Sequence, residues 1–232
     1  KTGDPNATRC AWLSVSQNTL ISRPIQVASD MTSITAQICD VTQEADIINL
    51  FDKMGCADIV IANAGVAESA PFDKTSLELW QSVIDVNLTG VFLTLREGLR
   101  RLKTEKKAFG RLIAISSITG KIGYPYVGAY AASKHGVLGM VKVAALEVAK
   151  TGITVNAICP GYLTTEMTEK SIDNITTKTG ISHDEAADKL KIYTPQHRLF
   201  EAEEVTAAAL YLASADARGV NGQGLSVCGG ET

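Results

Sequence analysis

The stretch Ala57-Asp-Ile-Val-Ile-Ala-Asn-Ala-Gly65 decides the fold, because it is a short apolar run that ends in small and polar residues. Its β-branched character is typical of a strand that is covered on both faces, and we predict a strand over residues 57–62. Two further runs, residues 110–116 and 154–158, have the same character. Longer segments with helical spacing or high alanine content lie over residues 76–102, 129–150 and 203–214. Strands that alternate with helices in this way indicate βαβ units on a parallel sheet.

Weaker strands over residues 11–16, 34–39 and 224–227 complete the expected architecture. We therefore predict an α/β fold with one domain over residues 1–232, a single Rossmann-type, doubly wound parallel sheet with helices on both faces. The polar, weakly periodic segment 165–200 is expected to form a mobile helical lid over a cleft. Ligands of such sheets bind outside the carboxyl ends of the strands, so the functional site is predicted there.

Composition and charge argue against several classes of protein. The 232 residues carry a formal net charge of −3, which gives no basic footprint for a nucleic acid. No apolar run approaches the roughly 18–20 residues of a membrane span, and the first ten residues do not resemble a signal peptide. The five cysteines are odd in number and form no CxxC pair. This pattern favours buried thiols in a reducing cytoplasm over disulfides or a metal site.

Small or polar residues follow four of the predicted strands. They are Asp40 and Val41, Asn63 to Gly65, Ser116 and Ser117, and Pro160 and Gly161. Each has an ordinary structural interpretation: Asp40 could cap the next helix, and the others could make turns. Their coincidence on one edge of a parallel sheet nevertheless indicates a site.

Tyr130 and Lys134 are four residues apart in a predicted helix, so they would share one face. As a structural pair, the phenol would simply pack on the aliphatic lysine stem. As a chemical pair, the ammonium would stabilise the phenolate by roughly 4 kcal/mol, for charges about 4 Å apart at an effective dielectric of about 20. That energy could lower the pKa of the phenol from about 10 to as far as about 7, where acid–base catalysts work best.

Taken together, these residues resemble the short-chain dehydrogenase/reductase family. The motifs are Asn63-Ala-Gly65, Asn87 in Asp-Val-Asn-Leu-Thr-Gly, Ser117, Tyr130-x-x-x-Lys134 and Pro160-Gly-Tyr-Leu-Thr-Thr165. The resemblance implies hydride transfer between a nicotinamide and an alcohol or ketone. Tyr130 would be the general acid or base, and Ser117 would hold the substrate oxygen. Lys134 would lower the pKa of the phenol and bind the nicotinamide ribose, and Asn87 would hold a water molecule that links Lys134 to solvent.

The same resemblance implies the remaining cofactor contacts. Asp40 and Val41 would contact the adenine. Three residues, Asn63, Ala64 and Gly65, would line the adenine–ribose side. Thr165 would hold the carboxamide, together with backbone near Pro160, Gly161 and Leu163.

The sequence departs from the family at its beginning. The expected first strand and its glycine-rich turn, which would bind the pyrophosphate, are missing, and residues 11–16 are interpreted as the second strand. Either the sequence omits a segment that the molecule has, or the molecule lacks a pyrophosphate site. The first interpretation is favoured, because loss of a central strand would expose sheet edges. The stretch Ser14-Val-Ser-Gln-Asn18 has no acid to select NAD, which favours NADP.

Within the family, the resemblance is to 3-oxoacyl-thioester reductases and 3-hydroxyacyl dehydrogenases. Two alternatives remain: an NAD-dependent dehydrogenase of another alcohol, sugar or steroid, and a catalytically idle binding subunit. The family also implies a homotetramer that uses helices 76–102 and 129–150. Four residues near the lid face either the substrate or the protein itself: Tyr124, Tyr126, His183 and His197. Arg198 could meet an anionic substrate group or form an ion pair with Glu201 or a neighbouring acid.

Overall fold

Five parallel strands form the sheet that carries the site. The computed structural model describes the backbone of Cys10–Leu13 and residues 36–232. The strands are β1 (Cys10–Leu13), β2 (Ile59–Ala62), β3 (Gly110–Ile115), β4 (Ile153–Pro160) and β5 (Gly224–Val227), hydrogen-bonded in that order. The strands predicted over residues 57–62, 110–116, 154–158 and 224–227 are thereby confirmed, with small shifts at their ends.

Seven α-helices accompany the described strands. They are α1 (Glu44–Met54), α2 (Leu77–Ile84), α3 (Gly90–Thr104), α4 (Gly128–Val148), α5 (Glu166–Thr179), α6 (His183–Ile192) and α7 (Ala202–Ala213). The helix predicted over residues 76–102 consists of α2 and α3, joined by a π-helical segment, Asp85–Thr89. The predicted lid segment contains α5 and α6.

The sheet is covered by helices on both faces, as predicted. Successive residues of a strand point to opposite faces. Val60 and Leu112 belong to the core under α1, α3 and α4, whereas Ile61 and Ile113 pack against Leu212 of α7. Burial of each such side chain contributes about 1.5–3 kcal/mol, so both layers stabilise the sheet.

The first described strand does not lie where the sequence suggested. We interpreted residues 11–16 as a second strand, but Cys10–Leu13 pairs directly with β2, with Cys10 opposite Ile59. In the strand order 3-2-1-4-5-6 of this architecture, the first strand occupies that place. A strand of four residues carries too little pattern to reveal its position. The stretch Ser14–Asn18, on which the preference for NADP was based, lies outside the described residues and no longer follows a second strand.

The strand predicted over residues 34–39 is not observed in its described part, residues 36–39. A strand needs a hydrogen-bonded neighbour, and no described strand lies beside this stretch. Ile38 is 85% exposed, whereas Cys39 is buried. The four cysteines whose side chains are described, Cys39, Cys56, Cys159 and Cys228, are free and buried, as expected.

Candidate active site

Ser117 lies just beyond the carboxyl end of β3, at the start of the short 3₁₀ turn Ile118–Gly120. Its hydroxyl oxygen accepts a hydrogen bond from the backbone N–H of Thr119 at 3.2 Å. The neighbouring Ser116 donates its hydroxyl hydrogen to the carbonyl of Lys134 at 3.1 Å. Because a Cβ on Gly120 would lie 2.7 Å from that same carbonyl oxygen, only glycine lets the turn approach α4 so closely. Ser116 therefore ties the turn to the helix and leaves Ser117 at the site.

Tyr130 and Lys134 share one face of α4, as their spacing predicted. The Lys134 Nζ atom lies 5.5 Å from the centre of the Tyr130 ring. It donates a hydrogen bond of 2.9 Å to the carbonyl of Ile115, the last residue of β3. Burial lowers the pKa of the Lys134 ammonium to about 8, because the side chain has lost most of its contact with water.

The expected lowering of the phenol pKa is not what the structure shows. Burial raises the pKa of Tyr130, and a hydrogen bond with Ser117 only partly opposes that rise. Burial is the larger of the two effects, because it penalises the charged phenolate. The phenol is consequently protonated at neutral pH.

Asn87 lies in the π-helical segment between α2 and α3 and is completely buried. Its side-chain amide donates to the carbonyl of Val66 and accepts from the N–H of Val66, both at 2.8 Å. A π-helical turn inside a helix is frequent at functional sites, because it re-aims one side chain. Both polar groups of the Asn87 side chain therefore fix the loop after β2, a role that the sequence did not predict.

Gly65 brings this loop close to the catalytic set. A Cβ on Gly65 would lie 3.4 Å from the Asn87 side-chain oxygen and 3.7 Å from Lys134 Nζ. Asn63 and Ala64 precede it directly at the carboxyl end of β2, so the three predicted residues do line the same edge as Lys134. A larger residue than glycine would fill the space beside the ammonium.

Asp40 and Val41 have clear structural roles. The Asp40 carboxylate accepts hydrogen bonds from the backbone N–H and the hydroxyl of Thr42, at 3.0 and 2.8 Å. Asp40 therefore stabilises the turn at Thr42. It does not cap α1, which begins at Glu44. Val41 is buried, and it packs so closely on Gly90 of α3 that a Cβ there would lie 2.8 Å from the valine side chain.

The residues after β4 form the opposite wall. Gly161 donates a backbone hydrogen bond to Val227 of β5, and Leu163 forms a parallel bridge with Phe200. Thr165 is the N-cap residue of α5, in extended conformation. Pro160, Gly161, Leu163 and Thr165 thus lie where the chain passes from the sheet into the lid.

The lid has its own small core of Ile172, Ala186 and Leu190. His183 pairs with Glu169 inside the lid, at 3.0 Å, and this pairing raises the pKa of the exposed imidazole. Arg198 forms a two-armed ion pair at 2.7 and 2.8 Å, with Glu204 rather than with Glu201. Both side chains are therefore engaged in ion pairs within the protein.

Two features of the cleft escaped the sequence analysis. Asn174 of α5 donates a hydrogen bond of 2.9 Å to the hydroxyl of Ser69, which links the lid to the loop after β2. Tyr162 and Tyr193 form an aromatic cluster with Tyr124. The position of Tyr162 directly after Gly161 is the one signal by which the sequence could have indicated the aromatic cluster. Asn174 and Ser69 are 105 residues apart along the chain, so no local sequence pattern connects them.

Neither a membrane helix nor a metal centre is found in the described part of the chain. None of its helices is long and apolar enough to cross a bilayer. Within the same residues, no group of three or more histidine, cysteine, aspartate or glutamate side chains is placed to hold a metal ion.

Comparison with known proteins places this geometry in a family context. Residues 14–232 match a family model described as enoyl-(acyl carrier protein) reductase. A D-beta-hydroxybutyrate dehydrogenase of Rhizobium meliloti is 37% identical over 83% of this chain and 76% of its own length. A 3-oxoacyl-(acyl-carrier-protein) reductase of Synechocystis is 32% identical over 99% of this chain and 87% of its own length. The crystal structure of a variant of actinorhodin polyketide ketoreductase with NADPH is 35% identical, with a TM-score of 0.78 over 84% of this chain and 76% of that one.

Proposed function

The chain belongs to the short-chain dehydrogenase/reductase family, and we propose that it reduces the ketone of a 3-oxoacyl thioester with NADPH. As a family member it is a nicotinamide-dependent oxidoreductase of carbonyls and secondary alcohols. The main support for the proposal is that Ser117, Tyr130 and Lys134 lie close together at one edge of the sheet. The nicotinamide, when bound, supplies the hydride, and the protein supplies position and protons.

Tyr130 is the proposed general acid. Its raised pKa keeps the phenol protonated at neutral pH, so it can give a proton to the substrate oxygen during reduction. Ser117 donates a hydrogen bond to the same oxygen and stabilises the negative charge that develops there. The Ser117 hydroxyl acts on the pKa of Tyr130, so the two hydroxyls lie near each other.

Lys134 fits the ribose of a nicotinamide cofactor. An ammonium has three N–H donors, and among the described residues Lys134 gives one of them to Ile115. The other two are available for the ribose hydroxyls beside Gly65, whose missing Cβ leaves room near Nζ. Asn87, through Val66, keeps that loop in place. We also propose that Asn87 holds the water that reprotonates Lys134.

The remaining cofactor contacts are proposed as the sequence suggested them. Asp40 and Val41 would border the adenine, with Asn63, Ala64 and Gly65 beside its ribose. Pro160, Gly161, Leu163 and Thr165 would hold the carboxamide. The preference for NADPH is supported by the ketoreductase relative whose structure contains it.

A second candidate is oxidation of a 3-hydroxy acid with NAD, which the hydroxybutyrate dehydrogenase relative favours. The two reactions use the same residues in opposite directions. The third interpretation, an idle binding subunit, is disfavoured because Asn87, Ser117, Tyr130 and Lys134 are all placed at the site.

We further propose that the protein is a cytoplasmic homotetramer. Apolar side chains on the two long helical segments support this, since Phe92, Val143 and Leu146 are 44%, 57% and 79% exposed. If these side chains form one continuous apolar surface in the assembly, contact with another copy of the chain would bury them. Light scattering of the purified protein tests the assembly, and a monomer would contradict it.

A fluorescence titration with NADPH and NADH, followed by turnover on 3-oxobutanoyl and 3-hydroxybutanoyl thioesters, tests the activity. We expect tighter binding of NADPH and oxidation of NADPH by the 3-oxo compound. Binding of NADH with turnover of the 3-hydroxy compound alone would favour the second candidate. Failure to bind either nucleotide would favour the idle subunit.

A further inference from the structure

We propose that Tyr124 is a specificity-determining residue, whose hydroxyl hydrogen-bonds a second oxygen of the substrate. In the reaction proposed above, on which this inference rests, that atom is the thioester carbonyl oxygen. The enzyme would thereby distinguish a 1,3-dicarbonyl compound from a simple ketone.

The first argument is position. Tyr124 lies on the segment between Ser117 and Tyr130. Its ring packs at 6.1 Å from that of Tyr162, which follows β4, and at 5.2 Å from that of Tyr193, at the end of α6. Tyr162 is in turn close enough to Tyr130 for the charge of one phenol to act on the other. Tyr124 therefore belongs to an aromatic cluster that joins its own segment to the lid, and one member of that cluster, Tyr162, lies near the catalytic phenol.

The second argument is that the Tyr124 hydroxyl is buried and has no hydrogen-bond partner among the described residues. A buried hydroxyl without a partner is costly, and most such groups in proteins are paired. The rings of Tyr162 and Tyr193 both pack against the ring that carries this hydroxyl. An unpaired donor in an aromatic cluster near the active site is a group that a substrate oxygen would satisfy.

The third argument is that this segment holds a second hydroxyl of the same kind. Thr119 is buried, its Oγ1 atom also lacks a partner among the described residues, and its own N–H donates to Ser117. Two unsatisfied hydroxyls therefore follow Ser117 on the segment that leads to Tyr130. A purely aliphatic substrate would leave both unpaired, whereas one with a second carbonyl would satisfy at least one.

The chemistry suits a thioester carbonyl. A phenol O–H donates to a carbonyl oxygen, and the bond fixes the substrate without taking part in the reaction. Sites built to hydrogen-bond a substrate group discriminate against analogues that lack it, because the buried protein group is then left unpaired.

The test compares two substrates that differ by one oxygen. They are a 3-oxobutanoyl thioester and the matching 4-(alkylthio)butan-2-one, in which a CH₂ group replaces the thioester carbonyl. Both substrates are assayed with NADPH and each of three proteins: the parent, Tyr124→Phe and Tyr211→Phe. The Tyr124→Phe variant keeps the ring contacts. The Tyr211→Phe variant is a matched control, because Tyr211 is half-exposed on α7, on the other face of the sheet.

We expect Tyr124→Phe to lower kcat/KM for the thioester by roughly tenfold, the equivalent of one neutral hydrogen bond, and to leave the thioether ketone nearly unchanged. Tyr211→Phe should change neither. The melting temperature of free Tyr124→Phe should equal or exceed that of the parent, since a buried unpaired hydroxyl is removed.

Equal losses on the two substrates, or none on either, would overturn the role of Tyr124 and leave the proposed reaction standing. A Tyr124→Phe protein that is clearly less stable would also overturn it, because the hydroxyl would then have a partner within the protein. A parent enzyme that reduces neither ketone while binding NADPH would overturn both.

Discussion

Lys134 gives the most quantitative prediction, because its ammonium is buried at the centre of the site. Burial lowers its pKa to about 8, whereas the unfolded chain has the ordinary value of 10.5. The folded protein therefore binds fewer protons than the unfolded chain between about pH 8 and pH 10.5, and stability should rise with pH across that window. Below pH 8 both states are protonated, and the native state carries the full cost of the buried charge.

The size of the effect follows from the pKa difference. The pKa of Lys134 differs by about 2.5 between the folded and unfolded states, which at about 1.4 kcal/mol per pKa unit corresponds to about 3 kcal/mol of folding free energy. About 2 kcal/mol of this stability is regained between pH 7 and pH 9.5. Urea unfolding measures it at both pH values for the parent, Lys134→Met and the control Lys142→Met, an exposed lysine on the same helix. The free energy of unfolding should rise by about 2 kcal/mol more in the parent and the control than in Lys134→Met.

The reasoning about Lys134 would be wrong if Lys134→Met showed the same pH dependence as the parent. That result would mean that the ammonium is solvated or compensated in the folded protein. A larger rise in Lys134→Met than in the parent would mean that the folded protein raises, rather than lowers, the pKa of the lysine.

Three further predictions concern the catalytic phenol, the loop after β2 and the lid. Tyr130→Phe should lower kcat by about 10²–10⁴-fold while NADPH affinity is kept, and an active variant would refute the acid–base role. Asn87→Ala removes two hydrogen bonds to Val66 and should cost about 1–3 kcal/mol in urea unfolding, with weaker NADPH binding; full stability would contradict this. Asn174→Ala and Ser69→Ala should each speed limited proteolysis within residues 166–192, and the double variant should be cleaved no faster than either single variant. Additive effects of the two substitutions on the cleavage rate would argue against the link between lid and loop.

The sequence predicted the sheet well because buried parallel strands have a distinctive composition. Residues such as Val60, Leu112 and Ile158 are apolar or β-branched wherever helices cover both faces. The carboxyl-end rule then located Ser117 and Gly65 without any knowledge of contacts. Residues 10–13 were misplaced because pairing with Ile59–Ala62 depends on partners far along the chain.

The chemistry of the site was harder to predict than its location. The helical spacing correctly put Lys134 beside Tyr130, but it gave neither the burial of the phenol nor the hydrogen bond of the lysine to Ile115. The burial of the phenol reverses the expected direction of its pKa. The π-helical turn at Asn87 was equally hard to predict, because its residues, Asp85–Thr89, include no glycine or proline that would mark an interruption of the helix.

Transfer of deuterium from NADPH labelled at C4 of the nicotinamide tests the central claim most directly. The labelled cofactor is incubated with the protein and a 3-oxobutanoyl thioester, and the product is analysed by mass spectrometry. Our account predicts a 3-hydroxybutanoyl thioester that carries one deuterium at C3, formed by the parent and greatly reduced with Tyr130→Phe. Bound NADPH that leaves the thioester unlabelled and unreduced would contradict it.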